Sequence, residues 1–338
     1  MTATMRASYL NKPGELEIRQ VDLPELAADQ VLIEVAVVGV CGSDVHYYQH
    51  GKIGPYVVDH PLILGHELSG TIAAVGSEVN PDRIGSRVAI EPQRPCRVCK
   101  HCKAGRYNLC PSMEFYATPP IQGAFCEYVA IQSDFAFDIP ETVSFEAAAL
   151  IEPLSVGIWA AQRAQIQLGS RVLVAGAGPI GLIMAQVARA FGAKDVYITD
   201  VNEERRAFAL RHGATLGLDP RTDDIEGLGV DVFIDASGVA GAVYQGIKAV
   251  GPAGRVMLVG MGNDDVSLPV SHIQNNEIWV SGVFRYANTW PLGIQLLESG
   301  KIDLDILVTH KFGLDQVEDA LNSGKLPGAL KTVVYPGR

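Results

Sequence analysis

The sequence predicts an α/β protein of two domains, one β-rich and one built on a doubly wound parallel sheet. Three observations carry this expectation. The stretch Val172-Leu-Val-Ala-Gly-Ala-Gly-Pro-Ile-Gly-Leu182 runs from an apolar β-prone segment through a glycine-rich turn into an apolar, helix-prone one. From Gly169 onward strand and helix patterns alternate with short loops, as parallel βα units do. Ahead of that point β-type runs dominate, and 338 residues exceed what one hydrophobic core usually organises.

Composition narrows the class. Hydrophobic residues at 48% and charged residues at 19% suit a globular enzyme. No apolar run approaches the roughly twenty residues a bilayer span needs. The N-terminus shows no charged-then-apolar secretory pattern, so the expected compartment is the cytoplasm. A formal charge of -11 argues against a nucleic-acid surface, which calls for clustered Lys and Arg. Six cysteines in such a chain read as metal ligands or buried thiols, not disulfides.

In chain order, Glu15 to Arg19 and Val31 to Val38 read as strands separated by the Pro24 to Asp29 loop. Gly39-Val-Cys-Gly-Ser-Asp-Val-His-Tyr-Tyr48 then places Cys41, Ser43, Asp44, His46 and Tyr47 in one turn after a strand. Taken alone, Cys41 reads as a core thiol and His46 as a surface histidine. Leu64-Gly-His-Glu-Leu-Ser-Gly70 puts His66 beside Glu67. Cys41, His66 and an acid form a donor set suited to zinc, with a fourth position open as in catalytic sites.

Cys96-Arg-Val-Cys99-Lys-His-Cys102, followed by Cys110, lies in a basic, Gly- and Pro-containing loop with little apolar content. Four thiolates at this spacing can close a tetrahedral shell around a structural zinc and supply order that packing cannot. A redox reading of Cys99-x-x-Cys102 is weaker because no βαβ unit surrounds it. Cys126, in the strand-like Gly123 to Ile131, reads as a buried thiol.

Phe145 to Ala164 is apolar at helical intervals, yet contains Ile151-Glu-Pro-Leu-Ser155, and the proline is expected to kink or restart the helix. Glu152 there reads equally as a solvent-facing or capping acid and as a metal-site acid. Helices are then expected at Pro179 to Phe191, Glu203 to His212 and Ala240 to Val250. Strands are expected at Val196 to Thr199, Val230 to Asp235, Arg255 to Gly260 and Ile278 to Val283. The tail adds two short helical patterns and a final strand, Lys331 to Tyr335, expected to return to the first domain.

Gly176, Gly178 and Gly181 form G-x-G-x-x-G between a strand and a helix, so that the backbone turns sharply, approaches a pyrophosphate and packs helix on strand. The helix N-terminus then faces the phosphate charge. Asp200 ends the next strand about twenty residues beyond, where an acid meets a ribose diol. The alternative is an ordinary βα turn with Asp200 capping the following helix.

These motifs, with Ala148-Ala-Leu-Ile-Glu-Pro-Leu-Ser-Val-Gly157 and Gly282-Val-Phe-Arg-Tyr286, resemble the zinc-dependent medium-chain dehydrogenases, and among them the sorbitol and xylitol (polyol) dehydrogenases. The resemblance spans nearly the whole chain. It implies a GroES-like catalytic domain over residues 1–153, completed by 287–338, and a Rossmann NAD-binding domain over 154–286. It also implies a homo-oligomer, usually a tetramer, with the active site between the two domains. Cys41, His66 and Glu67 correspond to ligands of a catalytic zinc, and Cys96, Cys99, Cys102 and Cys110 to those of a structural one. Ser43, His46 and Glu152 correspond to proton-handling positions. Tyr47, Phe115, Glu152, Arg285 and Tyr286 correspond to substrate positions. Ile180, Asp200 and Arg205, with the backbones of Val259, Gly260, Met261, Val283, Phe284 and Arg285, correspond to contacts of NAD.

The implied reaction oxidises a secondary hydroxyl of a sugar alcohol to a ketose, with zinc as Lewis acid and the nicotinamide as hydride acceptor. Animal sorbitol dehydrogenases generally lack part of the four-cysteine lobe, so its retention points toward microbial or xylitol-type relatives. The alternatives are a threonine- or butanediol-type dehydrogenase of the same fold, which would lack the Arg285-Tyr286 pair, a zinc-free quinone reductase, or a non-catalytic NAD-binding protein.

Overall fold

Residues 4–262 and 265–338 are described in a computed structural model, in which the chain forms two compact units. One comprises Met1–Glu152 with Trp290–Arg338, the other Pro153–Thr289.

In the first unit a seven-stranded sheet runs in the order Ala136–Asp138, Arg87–Ile90, Glu67–Val75, Gln30–Gly39, Lys331–Tyr335, Val308–Gly313, with Tyr128–Gln132 also pairing with Gln30–Gly39. Gln30–Gly39 is the hub because its Val31, Ile33, Val35, Val37 and Val38 are all buried, as befits β-branched residues on a pleated surface. A smaller sheet of Thr4–Lys12, Glu15–Asp22 and Leu62–Ile63 packs into the same core, which includes Leu10, Leu64, Leu68, Ile72, Ile90, Phe125 and Ile131. Cys126 does not lie in a strand as expected. The strand begins at Tyr128, and Cys126 makes only an isolated bridge to Ala7 with its thiol buried.

The second unit is a six-stranded, all-parallel sheet in the order Leu216–Leu218, Asp195–Thr199, Arg171–Ala175, Val230–Asp235, Val250–Leu258, Trp279–Gly282. With the strands numbered along the chain, this is the 3-2-1-4-5-6 order of a doubly wound nucleotide-binding sheet, and Arg171–Ala175 sits at its switch point. Phe233, Val256, Ile247 and Leu173 anchor its core. One expectation holds and one shifts here. The helical run breaks at Leu150, giving Phe145–Ala149 and Ile151–Ala164 and putting Pro153 in the first turn, where a missing N–H costs nothing. The strand predicted from Arg255 begins instead at Val250, through the Gly-Pro-Ala-Gly run that reads locally as a loop.

Candidate active site and metal centres

Cys41 ends the connection from the hub strand and immediately precedes the helix Gly42–His50. His66 and Glu67 stand at the start of the neighbouring strand, whose Glu67 is in register with Gly39. The two strand ends therefore bring Cys41, His66 and Glu67 together, their donor atoms within 4.8 Å of one another. His66 and Glu67 are buried, at 6% and 1% exposure.

Asp44 organises this corner. Its Oδ2 accepts the N–H of Cys41 and its Oδ1 the N–H of Gly65, both at 2.9 Å, while Oδ1 lies 3.5 Å from His66 Nδ1. Burial works against its charge, yet the facing imidazole and the two backbone N–H groups hold its pKa below the usual range. Burial likewise opposes a charge on His66, but Asp44 and Cys41 outweigh it and raise its pKa well above the ordinary value. The sequence motif alone assigns Asp44 no role. The available signal was an acid three residues after Cys41, at the N3 position of a helix whose N-cap is that cysteine.

The donor set fits zinc on an observation independent of spacing. Glu67 Oε1 accepts Lys331 Nζ at 2.6 Å, whereas the buried Oε2 has no hydrogen-bond partner. A desolvated carboxylate oxygen left bare is costly unless a cation meets it. Phe115 lies with its ring 5.4 Å from that of His66. Ser43 is half-buried, His46 is exposed with its ring 4.6 Å from that of His50, and Tyr47 is buried in the core. Glu152 is buried at the start of Ile151–Ala164 and acts electrostatically on Lys331.

Cys96, Cys99, Cys102 and Cys110 also converge. Their sulfurs stand 3.5 Å apart for Cys99–Cys102 and 4.0 Å for Cys96–Cys102, bracketing the roughly 3.8 Å edge of a tetrahedron with zinc–sulfur bonds of about 2.3 Å. Backbone N–H groups of Cys96, Cys99 and Cys102 point at the sulfurs of Cys110, Cys96 and Cys99, each at 3.4 Å. N–H groups of Val98 and Cys99 lower the pKa of the Cys96 thiol, while burial raises that of Cys102.

In the second unit Gly176 has φ 96°, open to glycine, and a Cβ on Gly181 would overlap the Gly176 carbonyl. Gly178 caps the helix Pro179–Ala190, which carries Ile180 in its first turn, and nothing lies within 4 Å of where its Cβ would be. That open space over a helix N-terminus fits a pyrophosphate. Asp200 Oδ2 accepts the N–H of Ala177 and Oδ1 that of Asn202, each at 2.8 Å. Asn202, not Asp200, caps Glu203–Arg211, through the N–H of Arg205. Val259 and Gly260 bond the Asp235 carbonyl, Val283 bonds that of Leu258, and Met261 and Phe284 are exposed. Arg285 takes φ 51°, its guanidinium 4.9 Å from the Phe284 ring, and Tyr286 is fully buried.

Comparison with known proteins agrees with this chemistry. Residues 27–141 match the alcohol dehydrogenase GroES-like domain and residues 179–299 the zinc-binding dehydrogenase domain. A sorbitol dehydrogenase of Bacillus subtilis (strain 168) is 44% identical, with 99% of this chain and 98% of that one aligned. The Homo sapiens sorbitol dehydrogenase is 42% identical over 95% of this chain and 93% of its own. An alcohol dehydrogenase of Escherichia coli CFT073, solved with NADH, superposes with TM-score 0.92 at 29% identity, covering 99% of this chain and 100% of that one. The chain thus belongs to the zinc-dependent medium-chain dehydrogenases, a family of oxidoreductases, and within them to the polyol dehydrogenase group.

Proposed function

We propose that this chain is an NAD- and zinc-dependent polyol dehydrogenase that oxidises a secondary hydroxyl of sorbitol, xylitol or a similar sugar alcohol to the ketose. The observation that carries it is the carboxylate in the Cys41–His66–Glu67 set, with its unpartnered oxygen, in a chain 44% identical to a sorbitol dehydrogenase. Residues 1–153 with 287–338 are assigned to the catalytic domain and 154–286 to the NAD-binding domain. When bound, zinc supplies Lewis acidity to the substrate hydroxyl and the nicotinamide accepts the hydride.

Cys41, His66 and Glu67 would hold the catalytic zinc, and Cys96, Cys99, Cys102 and Cys110 the structural one. The 176–181 turn and Ile180 seat the pyrophosphate, Asp200 and Arg205 grip the adenosine ribose, and the backbones of 259–261 and 283–285 line the rest of the cofactor. Tyr47, Arg285 and Tyr286 orient the polyol by its other hydroxyls, Phe115 walls the site, and Glu152 holds the reacting end. Ser43 with the exposed His46, or Glu152 with water, carries the released proton outward.

A homo-oligomer, with a tetramer as the expected state, is part of this reading; Trp279–Gly282 is the last strand of its sheet among the described residues, an edge suited to pairing with a second copy. The five metal-site cysteines serve as thiolates, which the reducing cytoplasm keeps available. Turnover of a polyol panel with NAD and NADP tests the proposal. Activity on sorbitol, xylitol or a stereoisomer well above that on propan-2-ol, butanediol and threonine is expected. The reverse order would leave only the wider family.

A further inference from the structure

We propose that Lys331 is a positioning residue of the catalytic metal site: its ammonium occupies one oxygen of Glu67, so that this carboxylate offers the metal only the other. The inference rests on the zinc reading of Cys41, His66 and Glu67 and adds a residue from a distant part of the chain.

Lys331 Nζ donates to Glu67 Oε1 at 2.6 Å and to the Val40 carbonyl at 2.8 Å, with the lysine 6% and the glutamate 1% exposed. The strands carrying them are not neighbours. The hub strand Gln30–Gly39 lies between, pairing with Glu67–Val75 on one side and Lys331–Tyr335 on the other. The contact crosses at the hub's last residue, Gly39, which is in register with Glu67 and where any Cβ would overlap Glu67 Oε2. A bare backbone at that point is therefore what lets the carboxylate face the metal corner while the ammonium reaches it from across the strand.

Burying a lysine in a sheet interior is unfavourable unless its charge is matched, and an apolar residue of similar size would pack there at lower cost. The Val40 carbonyl accepts from the ammonium as well, which favours its position beside Glu67. Two consequences follow. Glu67 cannot close on the metal through both oxygens, which keeps coordination low and leaves room for substrate. The ammonium also offsets one of the two anionic ligands, Cys41 and Glu67, which together would cancel the charge of a divalent zinc. Lys331 also interacts electrostatically with Cys41 and Glu152, which places its charge within the same group of acids.

The test follows zinc retention as well as turnover. The parent enzyme, Lys331→Met, Lys331→Arg, Glu67→Gln and the double variant Glu67→Gln/Lys331→Met are dialysed against graded chelator, with the four-cysteine zinc as internal reference. Kcat and KM for a polyol are measured alongside. Lys331→Met is expected to release one of its two zincs at about 10–100-fold lower chelator concentration, the range for loss of an outer partner of a ligand, with Lys331→Arg restoring most of the difference. In the Glu67→Gln background Lys331→Met is expected to add nothing, because the lysine acts through that carboxylate. Should Lys331→Met fail to fold, Lys331→Gln carries the same expectation with smaller amplitude. Retention equal to or tighter than the parent's, no rescue by arginine, or additive losses in the double variant overturns the inference. A parent that holds only the four-cysteine zinc instead overturns the metal reading beneath it.

Discussion

The hydroxyl of Tyr107 donates to Glu91 Oε1 at 2.8 Å, fastening the four-cysteine lobe to the end of the strand Arg87–Ile90. Glu91 is 1% exposed, and its Oε1 also accepts Gln93 Nε2 at 2.9 Å. The Tyr107 ring meets Phe135 edge-on at 5.7 Å, and Arg97 reaches Asp134 at 2.6 Å. Val98 and Leu109 of the lobe face solvent, so apolar burial contributes little to its interior order and a metal held by the cysteines would add to it.

Metal content follows directly. The purified protein should carry two zinc ions per chain and Cys102→Ser one, by elemental analysis. A loss of about 3 kcal/mol from the lobe would lower Tm by roughly 6–12 °C. Two zincs in active Cys102→Ser would show that the lobe does not bind metal through this cysteine.

Glu91 should make stability fall as pH rises. Burial lifts its pKa from 4.5 to about 8 against the opposing hydrogen bonds from Tyr107 and Gln93. The folded protein thus holds a proton that the unfolded chain gives up above about 4.5, so the group's stabilising contribution is full below that pH and is lost by about 8. Glu91→Gln keeps an acceptor for Tyr107 and cannot ionise. It should match the parent in Tm at pH 5 and exceed it at pH 8, by on the order of 2–4 kcal/mol in unfolding free energy. A constant difference across that range would mean Glu91 does not titrate there.

Asp200 should make NAD the preferred cofactor, because its carboxylate can accept from a 2′-hydroxyl but repels a 2′-phosphate. Arg205 and Arg206 are the counterweight, yet Arg206 is already bonded to the Asp200 carbonyl at 2.6 Å and paired with Asp219. Kcat/KM with NAD should exceed that with NADP by at least tenfold, and Asp200→Ala should shrink the ratio. Equal efficiencies in the parent would refute the assignment.

Arg285→Ala should lower kcat/KM for polyols by roughly 10–100-fold, the effect of about 1–3 kcal/mol for a polar partner left unpaired. Zinc content should stay at the parent level because Arg285 is assigned to the substrate and not to the metal. Unchanged polyol efficiency would remove Arg285 from the substrate site.

Much of the fold could be read from local pattern, because strands buried on both faces advertise themselves as apolar runs; Val230–Asp235 and Lys331–Tyr335 have the expected bounds. Leu216–Leu218 escaped because three residues, one of them glycine, carry no periodicity, and Val250–Leu258 was cut short by its Gly-Pro-Ala-Gly run. The donor residues were legible because metal chemistry restricts residue type and spacing. Their supports were not. Asp44 acts through backbone N–H groups, and Lys331 lies 264 residues from Glu67, a distance over which neither propensity nor spacing carries information.

The strand Lys331–Tyr335 gives the catalytic unit a biosynthetic timetable. Cys41, His66 and Glu67 leave the ribosome early, but the strand that flanks Gln30–Gly39 and brings the ammonium to Glu67 emerges only after the whole parallel-sheet unit has been made. The usual order, in which an N-terminal domain is finished before the next begins, is unavailable to this chain. Its first sheet lacks this strand, and Glu67 its ammonium partner, until the inserted unit has been made. A chain interrupted before this strand would expose the unpaired edge of Gln30–Gly39 and leave Glu67 without its ammonium partner, which ties the finished corner to synthesis of residues 331–335.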